Sequence, residues 1–377
     1  MDEKWIEIEA ANILANLQTV KTYLQPKTKI LAVIKANAYG HGLIETAKIL
    51  SDAEIYAFGV TATAEGIALR KAGIKIPILL FAPLLPEHIS QVLENDLTPT
   101  ISSIAQLENL QAVAESKDIL AKIHIKIETG MGRTGLWHTE IPLFMQALCQ
   151  SPNVQVEGIY SHLAQAGNQE FSRRQYSRFL EAVELFEEQG IGIPIKHLAN
   201  SAGTLKYPEM QLDMVRIGTL LFGQMPIGLK GTVELKTTWK AKARVLNIRT
   251  VPAAWPIGYG GDFTTVKISR IGVLPIGLAD GFNVAPRTCP KSLFELLKIL
   301  AKEVLAYLGR GPQALGVYYC DDFYRVVGRV SMQLTMVDFT GSTLKENDVV
   351  EFPMCRITAS VNLPRVYMKN GVPYKTI

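Results

Sequence analysis

Up to about residue 220 the chain repeats one pattern, a short apolar run followed by an amphipathic stretch. The runs ILAVI (30–34), IYAFGV (55–60), PILLFA (77–82), LTPTI (97–101), AKIHIKI (121–127), VQVEGIY (154–160), IKHLA (195–199) and LDMVRI (212–217) read as strands. Between them LIETAKIL, TAEGIALRKAG, SIAQLENLQAVA and FSRRQYSRFLEAVELFEEQG read as helices. The last keeps Phe171, Phe179, Val183 and Phe186 near helical spacing with charges between them. Gly73 and Gly190 fall where helices close on a left-handed residue. Eight strands, each but the last clearly followed by a helix, is the count of a (β/α)8 TIM barrel. A doubly wound open sheet alternates as well, but it brings a glycine-rich first turn that is missing here.

From about Thr238 the pattern changes. KARVLNIRTV, FTTVKISRIGVLPI, FYRVVGRVSMQLTMVDF and DVVEF are β-type runs punctuated by Pro and Gly. KSLFELLKILAKEVLAYLG (291–309) breaks the rule with helical apolar spacing and good helix formers, so a helix inserted in a β domain is expected. The predicted architecture is α/β, with a barrel over 10–237. A mainly-β domain over 238–377 follows and takes in an N-terminal strand at 1–9.

Composition agrees with that plan. The 377 residues are too many for one ordinary core. Hydrophobic residues at 48% and charged residues at 20% place the chain among folded globular proteins rather than disordered ones. A net charge of +4 is too mild and too evenly spread to suggest nucleic acid or an anionic membrane surface. MDEKWIEIEA has no apolar stretch behind a basic end, so no signal peptide is expected, and IPILLFAPLL is about half a bilayer span and holds two prolines. Cys149, Cys289, Cys320 and Cys355 lie far apart without a CxxC pair. That spacing predicts neither a disulfide framework nor a zinc site, and a reducing cytoplasm is the expected compartment.

The chemistry gathers at one set of strand ends, where barrels of this type place their sites. Lys35 and Tyr39 follow the first strand, Arg133 the fifth, His162 the sixth, and Asn200 and Ser201 the seventh. Arg216 ends the eighth, ahead of Gly218 and Thr219. Taken singly, each has a plain structural reading. His162 suits a core histidine, Arg133 a surface arginine, NSAG a helix cap, and Arg216 a surface partner of Asp213 or Glu209. Their joint placement after five strands is much harder to reach by chance. Ser201 and the amides of Gly218 and Thr219 stand where barrels commonly bind phosphate. A lysine across the same mouth can form an imine with an aldehyde. Phosphate, aldehyde and lysine together point to pyridoxal 5′-phosphate (PLP), with a sugar-phosphate Schiff-base aldolase as the alternative.

AVIKANAYGHG, KIETGMGRTG, YSHLAQAG, HLANSAG, VRIGTLLFG, AAWPIGYGGDF, PIGLADGF and VGRVSMQLTMVD, in this order from Trp5 to about Tyr367, resemble the alanine racemases. That resemblance implies a fold-type III PLP barrel with a β domain, working as a homodimer that supplies D-alanine to the cell wall. It implies that Lys35 holds PLP covalently and acts as one of two bases. Tyr259 would be the other, acting in the partner subunit's site. His162 would lie by the pyridine ring and tune Tyr259. Tyr39, Ser201, Gly218 and Thr219 would hold the phosphate with Asn200 beside them. Arg133 would contact the cofactor's phenolate and the substrate carboxylate, and the Met332 amide would bind that carboxylate from across the dimer. Lys126 matches a lysine that is often carbamylated. Arg216 would face the pyridine nitrogen. A guanidinium has only donors, so it cannot take the ring proton, which favours racemisation over transamination.

The pattern departs from the family at its entrance. Leu278 and Val361 stand where tyrosines are usual, Gly167 where Asp is common, and Met332-Gln333-Leu334 where Met-Asp-Gln is usual. The segment around 291–320 is longer and more helical than typical. Losing two aromatic rings would widen the mouth, which motivates a second expectation of a racemase with broader or shifted substrate, serine for example.

Overall fold

Eight parallel strands follow one another around a barrel: Lys29–Val33, Ala57–Val60, Ile78–Pro83, Thr98–Ile101, Ala121–Lys126, Val154–Tyr160, Ile195–His197 and Met214–Ile217. This is a computed structural model describing residues 2–226, 229, 231, 233–284, 289–290, 292–307, 315–369 and 371–377. Each of the first six strands pairs with the next, and the last pairs with the first from Lys29↔Met214 to Ala32↔Ile217. Between the seventh and eighth strands the ring is completed by a bridge, Asn200↔Arg216, and by backbone bonds from Asp213 to Lys196 (3.1 Å) and Arg216 to Ala199 (3.0 Å). The strands are buried on both faces, which is why they read as near-continuous apolar runs.

The barrel has an apolar floor. Leu31, Ala57, Leu79, Ile195 and Met214 cluster there, with Tyr39 and Phe81 packed against them. Gly59 makes this possible, because a Cβ on it would sit 2.4 Å from Phe81 Cζ. The outer helices are set as their patterns require. Gln169–Glu188 turns Phe179, Val183 and Phe186 inward. Each such side chain contributes about 1.5–3 kcal/mol by leaving water. The Asn168 side chain caps its start by accepting the Phe171 amide at 3.1 Å, and Gly190, at φ 73°, ends it.

The chain divides into two units, Ala10–Thr238 and Met1–Glu9 with Trp239–Ile377. The second is mainly β. Its seven-stranded sheet places the N-terminal strand Lys4–Glu9 between Trp239–Arg244, antiparallel, and Arg365–Lys369, parallel. A three-stranded sheet of Asn247–Val251, Ser269–Leu274 and Thr335–Asp338 shares a core with it through Leu274, Phe282, Val337, Phe339 and Phe352. One helix, Leu293–Tyr307, interrupts this unit, and residues 292–305 are all exposed. Lys291, Leu308 and Gly309, the ends of the helix expected from sequence, lie outside the described residues. No helix among the described residues is long and apolar enough to cross a membrane.

Candidate active site

Lys35 follows the first strand and opens an unusual turn. Ala36, Asn37, Ala38 and Tyr39 all hold φ between 52° and 54°, a single left-handed helical turn built without glycine. The left-handed conformation costs a non-glycine residue roughly 1–2 kcal/mol. The surroundings offset this. Glu65 Oε1 accepts the Asn37 amide (3.1 Å), Asn37 Oδ1 accepts the Leu43 amide (2.8 Å), and the Ala38 amide reaches Ile34 O (2.8 Å). Gly40 and Gly42 then carry the chain out at φ 84° and 96°. The turn delivers both Lys35 and Tyr39 to one cavity of about 500 Å³ at the C-terminal ends of the strands.

Lys126, Arg133, His162, Asn200, Ser201, Arg216, Gly218 and Thr219 line the same cavity, with Phe81, Thr134 and Tyr160. Arg216 is 4% exposed, so the surface pairing with Asp213 or Glu209 is not what holds it. Its donors meet Ser161 O (2.7 Å), Leu198 O (3.0 Å), His197 O (3.1 Å), His197 Nδ1 (2.9 Å) and His162 Nδ1 (3.1 Å). Burial lowers its pKa to about 10, which leaves it charged at neutral pH. Lys126 is buried with Nζ 4.3 Å over the Tyr160 ring, and burial, then Arg216 and Arg133, hold its pKa well below that of a free lysine. Lys35 is lowered in the same way, by burial first and Arg133 second, against a smaller opposing pull from Glu65.

The remaining groups are held by their neighbours. Ser201 Oγ accepts the Gly218 amide at 3.1 Å, and a Cβ on Gly218 would lie 2.7 Å from Tyr39 Oη. Asn200 caps the short helix Ser201–Lys206 through Oδ1 to the Gly203 amide (3.0 Å) and donates to Leu163 O (3.1 Å). The helix-cap reading therefore holds together with the cavity position. Arg133 reaches in from an exposed loop that closes on Glu128, whose carboxylate accepts the amides of Gly130, Met131, Gly132 and Arg133.

Tyr259 and Met332 belong to the β unit and are each 73% exposed. The Tyr259–Gly261 turn is braced by the Asp262–Arg329 ion pair. The Leu278 and Ala279 amides bond to Ser331 O (3.0 Å) and Met332 O (2.9 Å), so Leu278 and Met332 sit on adjoining segments. Val361 is also exposed, and Lys206 Nζ reaches Gly167 O at 2.7 Å in the barrel unit.

Residues 8–226 match the family model described as alanine racemase, N-terminal domain, and residues 238–361 match alanine racemase, C-terminal domain. The chain belongs to the alanine racemase family. A curated alanine racemase of Methanococcus maripaludis is 39% identical over 92% of this chain and 87% of its own length. Another, from Oceanobacillus iheyensis, is 38% identical over 74% and 76%. Among solved structures, an alanine racemase of Clostridium difficile aligns with TM-score 0.89 at 28% identity, covering 100% of this chain and 98% of that one. One from Bacillus anthracis with bound L-Ala-P aligns at 0.87 and 25% over the same shares. The chain is thus an isomerase of amino acids, an alanine racemase by family and relatives. These relatives carry alanine in their names, and nothing among them supports the shift toward serine drawn from Leu278 and Val361.

Sequence reading missed the layer under the cavity. His124 and His197 lie there, buried beneath Arg216, and Tyr160 at the cavity wall stacks on His197. The signal was present but weak. A lone polar residue in an apolar strand run, such as His124 in AKIHIKI, reads as a satisfied core histidine. Glu65 and Glu128 were missed as well, because each acts on backbone amides, which leave no side-chain pattern.

Proposed function

We propose that this racemase holds PLP in the barrel cavity and moves the alanine Cα proton with two bases, Lys35 and Tyr259 of the partner subunit. The observation that carries the reading is the charge of the cavity. Lys35, Lys126, Arg133 and Arg216 converge there, and among the described residues no hydrogen-bond partner of Arg216 is a carboxylate. Basic groups gathered around a buried, charged Arg216 that meets no carboxylate suit an anionic occupant, and a cofactor phosphate supplies one. The space for it beside Tyr39 Oη and Ser201 Oγ is kept open by the missing Cβ of Gly218.

Bound there, PLP supplies an electron sink for the pair left when the Cα proton departs. Lys35 anchors the cofactor and, with its depressed pKa, takes or returns a proton at Cα on one face. Tyr39 and Ser201 hydroxyls and the amides of Gly218 and Thr219 hold the phosphate, with Asn200 fixing the turn beneath them. Arg133 and the Met332 amide of a second chain hold the substrate carboxylate. His162 Nδ1 accepts from Arg216, which has no lone pair to offer, so its proton sits on Nε2 and is available to orient the tyrosine. Lys126, a buried amine with a depressed pKa between two guanidiniums, suits carbamylation, which would place a negative charge beside Arg133. The working unit is a homodimer, because Tyr259 and Met332 stand on an exposed face of the β unit. Four cysteines without disulfides suit a reducing cytoplasm.

The test is complementation. Lys35→Ala and Tyr259→Ala variants are each inactive. Mixed and allowed to exchange subunits at equal amounts, they recover about a quarter of wild-type activity, since half the dimers then hold one intact site. No recovery after verified exchange refutes the shared site.

A further inference from the structure

Below the cavity three strands bring a histidine pair under Arg216. His197 ends the seventh strand and is fully buried; His124, in the fifth, is 5% exposed. His197 Nδ1 meets Arg216 Nη1 at 2.9 Å, and its Nε2 meets His124 Nδ1 at 2.8 Å. Tyr160 stacks on the His197 ring at 4.7 Å and 13°, so the ring keeps its plane. Neither histidine lines the cavity.

The donor inventory settles where the protons are. A guanidinium only donates, so His197 Nδ1 accepts. Both rings are neutral, since burial first and then Arg216 lower their pKa, that of His124 to about 3. His197 therefore carries its single proton on Nε2 and donates it to His124 Nδ1. With the other tautomer, His197 would set an N–H against an N–H of Arg216 at 2.9 Å. The fold reserves space for the acceptor. A Cβ on Gly158, the register partner of His124 in the sixth strand, would sit 2.6 Å from His124 Cε1 and 2.7 Å from Nδ1.

We propose that His124 is a positioning residue, which holds the tautomer of His197 and through it the placement of the Arg216 guanidinium. It acts two hydrogen bonds away from the cavity wall and touches neither substrate nor cofactor. Its effect on the reaction rests on the reading that the cavity holds PLP with Arg216 at the ring nitrogen, while its effect on His197 does not.

The experiment has two arms. Nitrogen-15 histidine spectra, with and without added PLP, report the His197 tautomer and need no turnover. Pyruvate release against alanine racemisation in the holoenzyme reports whether Arg216 still favours racemisation. In wild type, His197 is bare at Nδ1. His124→Phe keeps a ring but removes the acceptor. It leaves the buried His197 Nε2 proton without an acceptor, so the ring is expected to break from Arg216 and populate both tautomers, raising the transamination share about tenfold. His124→Asn returns an acceptor near the Nδ1 position and restores both readouts. If the phenylalanine variant does not fold, His124→Leu removes the acceptor with a smaller side chain and gives the same two changes. A wild-type His197 protonated on Nδ1, or a His124→Phe enzyme with unchanged tautomer and unchanged product ratio, overturns the proposal. A changed tautomer in a protein that takes up no PLP supports the relay and refutes the cofactor reading instead.

Discussion

Glu128 offers the sharpest test of how the Arg133 loop is held. Its Oε1 accepts the Gly130 and Met131 amides at 2.5 Å, and its Oε2 accepts Gly132 at 2.9 Å and Arg133 at 3.3 Å. Four donors converging on one carboxylate form an anion nest supplied from within the chain. Glu128→Gln keeps the shape but turns one oxygen into an NH2 group facing two N–H donors. Hydrogen bonds to a charged group are worth about 1.5–3 kcal/mol each. Gly130, Gly132 and Arg133 are exposed, so water takes over part of the loss. A net cost of about 2 kcal/mol follows, against a typical total stability of 5–15 kcal/mol.

The pH dependence of that cost carries a sign. Burial pushes the Glu128 pKa up, but the four backbone bonds outweigh it and bring it below the ordinary 4.5. A carboxylate whose folded pKa lies below its unfolded one contributes fully above the unfolded value and loses that contribution as pH falls through the folded value. Urea unfolding of wild type and Glu128→Gln should therefore differ by about 2 kcal/mol at pH 7, and the two should converge as pH drops below 4.5. Arg133, freed from its nest, should cost at least about tenfold in kcat/KM for alanine at pH 7. Equal stability at pH 7, or a difference that persists undiminished in acid, would falsify the account.

Two further outcomes follow from backbone geometry. Ala36→Gly should leave thermal stability unchanged or raise it, because the left-handed turn penalises Cβ, whereas Ala68→Gly inside the right-handed helix Thr63–Lys71 should cost about 1 kcal/mol; equal losses by differential scanning calorimetry refute the strain. Gly218→Ala should force Tyr39 aside from a contact of 2.7 Å and weaken PLP binding about tenfold in an absorbance titration with the fold intact; undiminished affinity removes Tyr39 and Gly218 from the phosphate site.

The barrel was legible because its strands are short apolar runs at strand spacing, each followed by a helical pattern, and because polar residues at strand ends face one rim. Lys35, Arg133, His162, Ser201 and Arg216 stood out for that reason, and the structure brings them to one cavity. Beneath that rim legibility fails for a physical reason. Barrel strands are buried on both faces, so the inward face carries no polarity contrast to mark it. His124 and Lys126 share a face of the fifth strand, two residues apart, but the pairing with the sixth strand shifts register between Ile123 and His124. That irregularity breaks the alternation which would have tied Lys122, exposed at the strand's start, to the same face. The left-handed turn after Lys35 is hidden in another way. Alanine, asparagine and tyrosine have no preference for that conformation strong enough to announce it, and the bonds that Asn37 makes to Glu65 and Leu43, distant or later in the chain, help to hold it. Both hidden features support Arg216 and Lys35 from below or behind. The groups that face the cavity are written in the sequence as polar residues at strand ends. The groups that aim them are written only in three dimensions, as backbone amides, ring planes and the missing Cβ of Gly158 and Gly218.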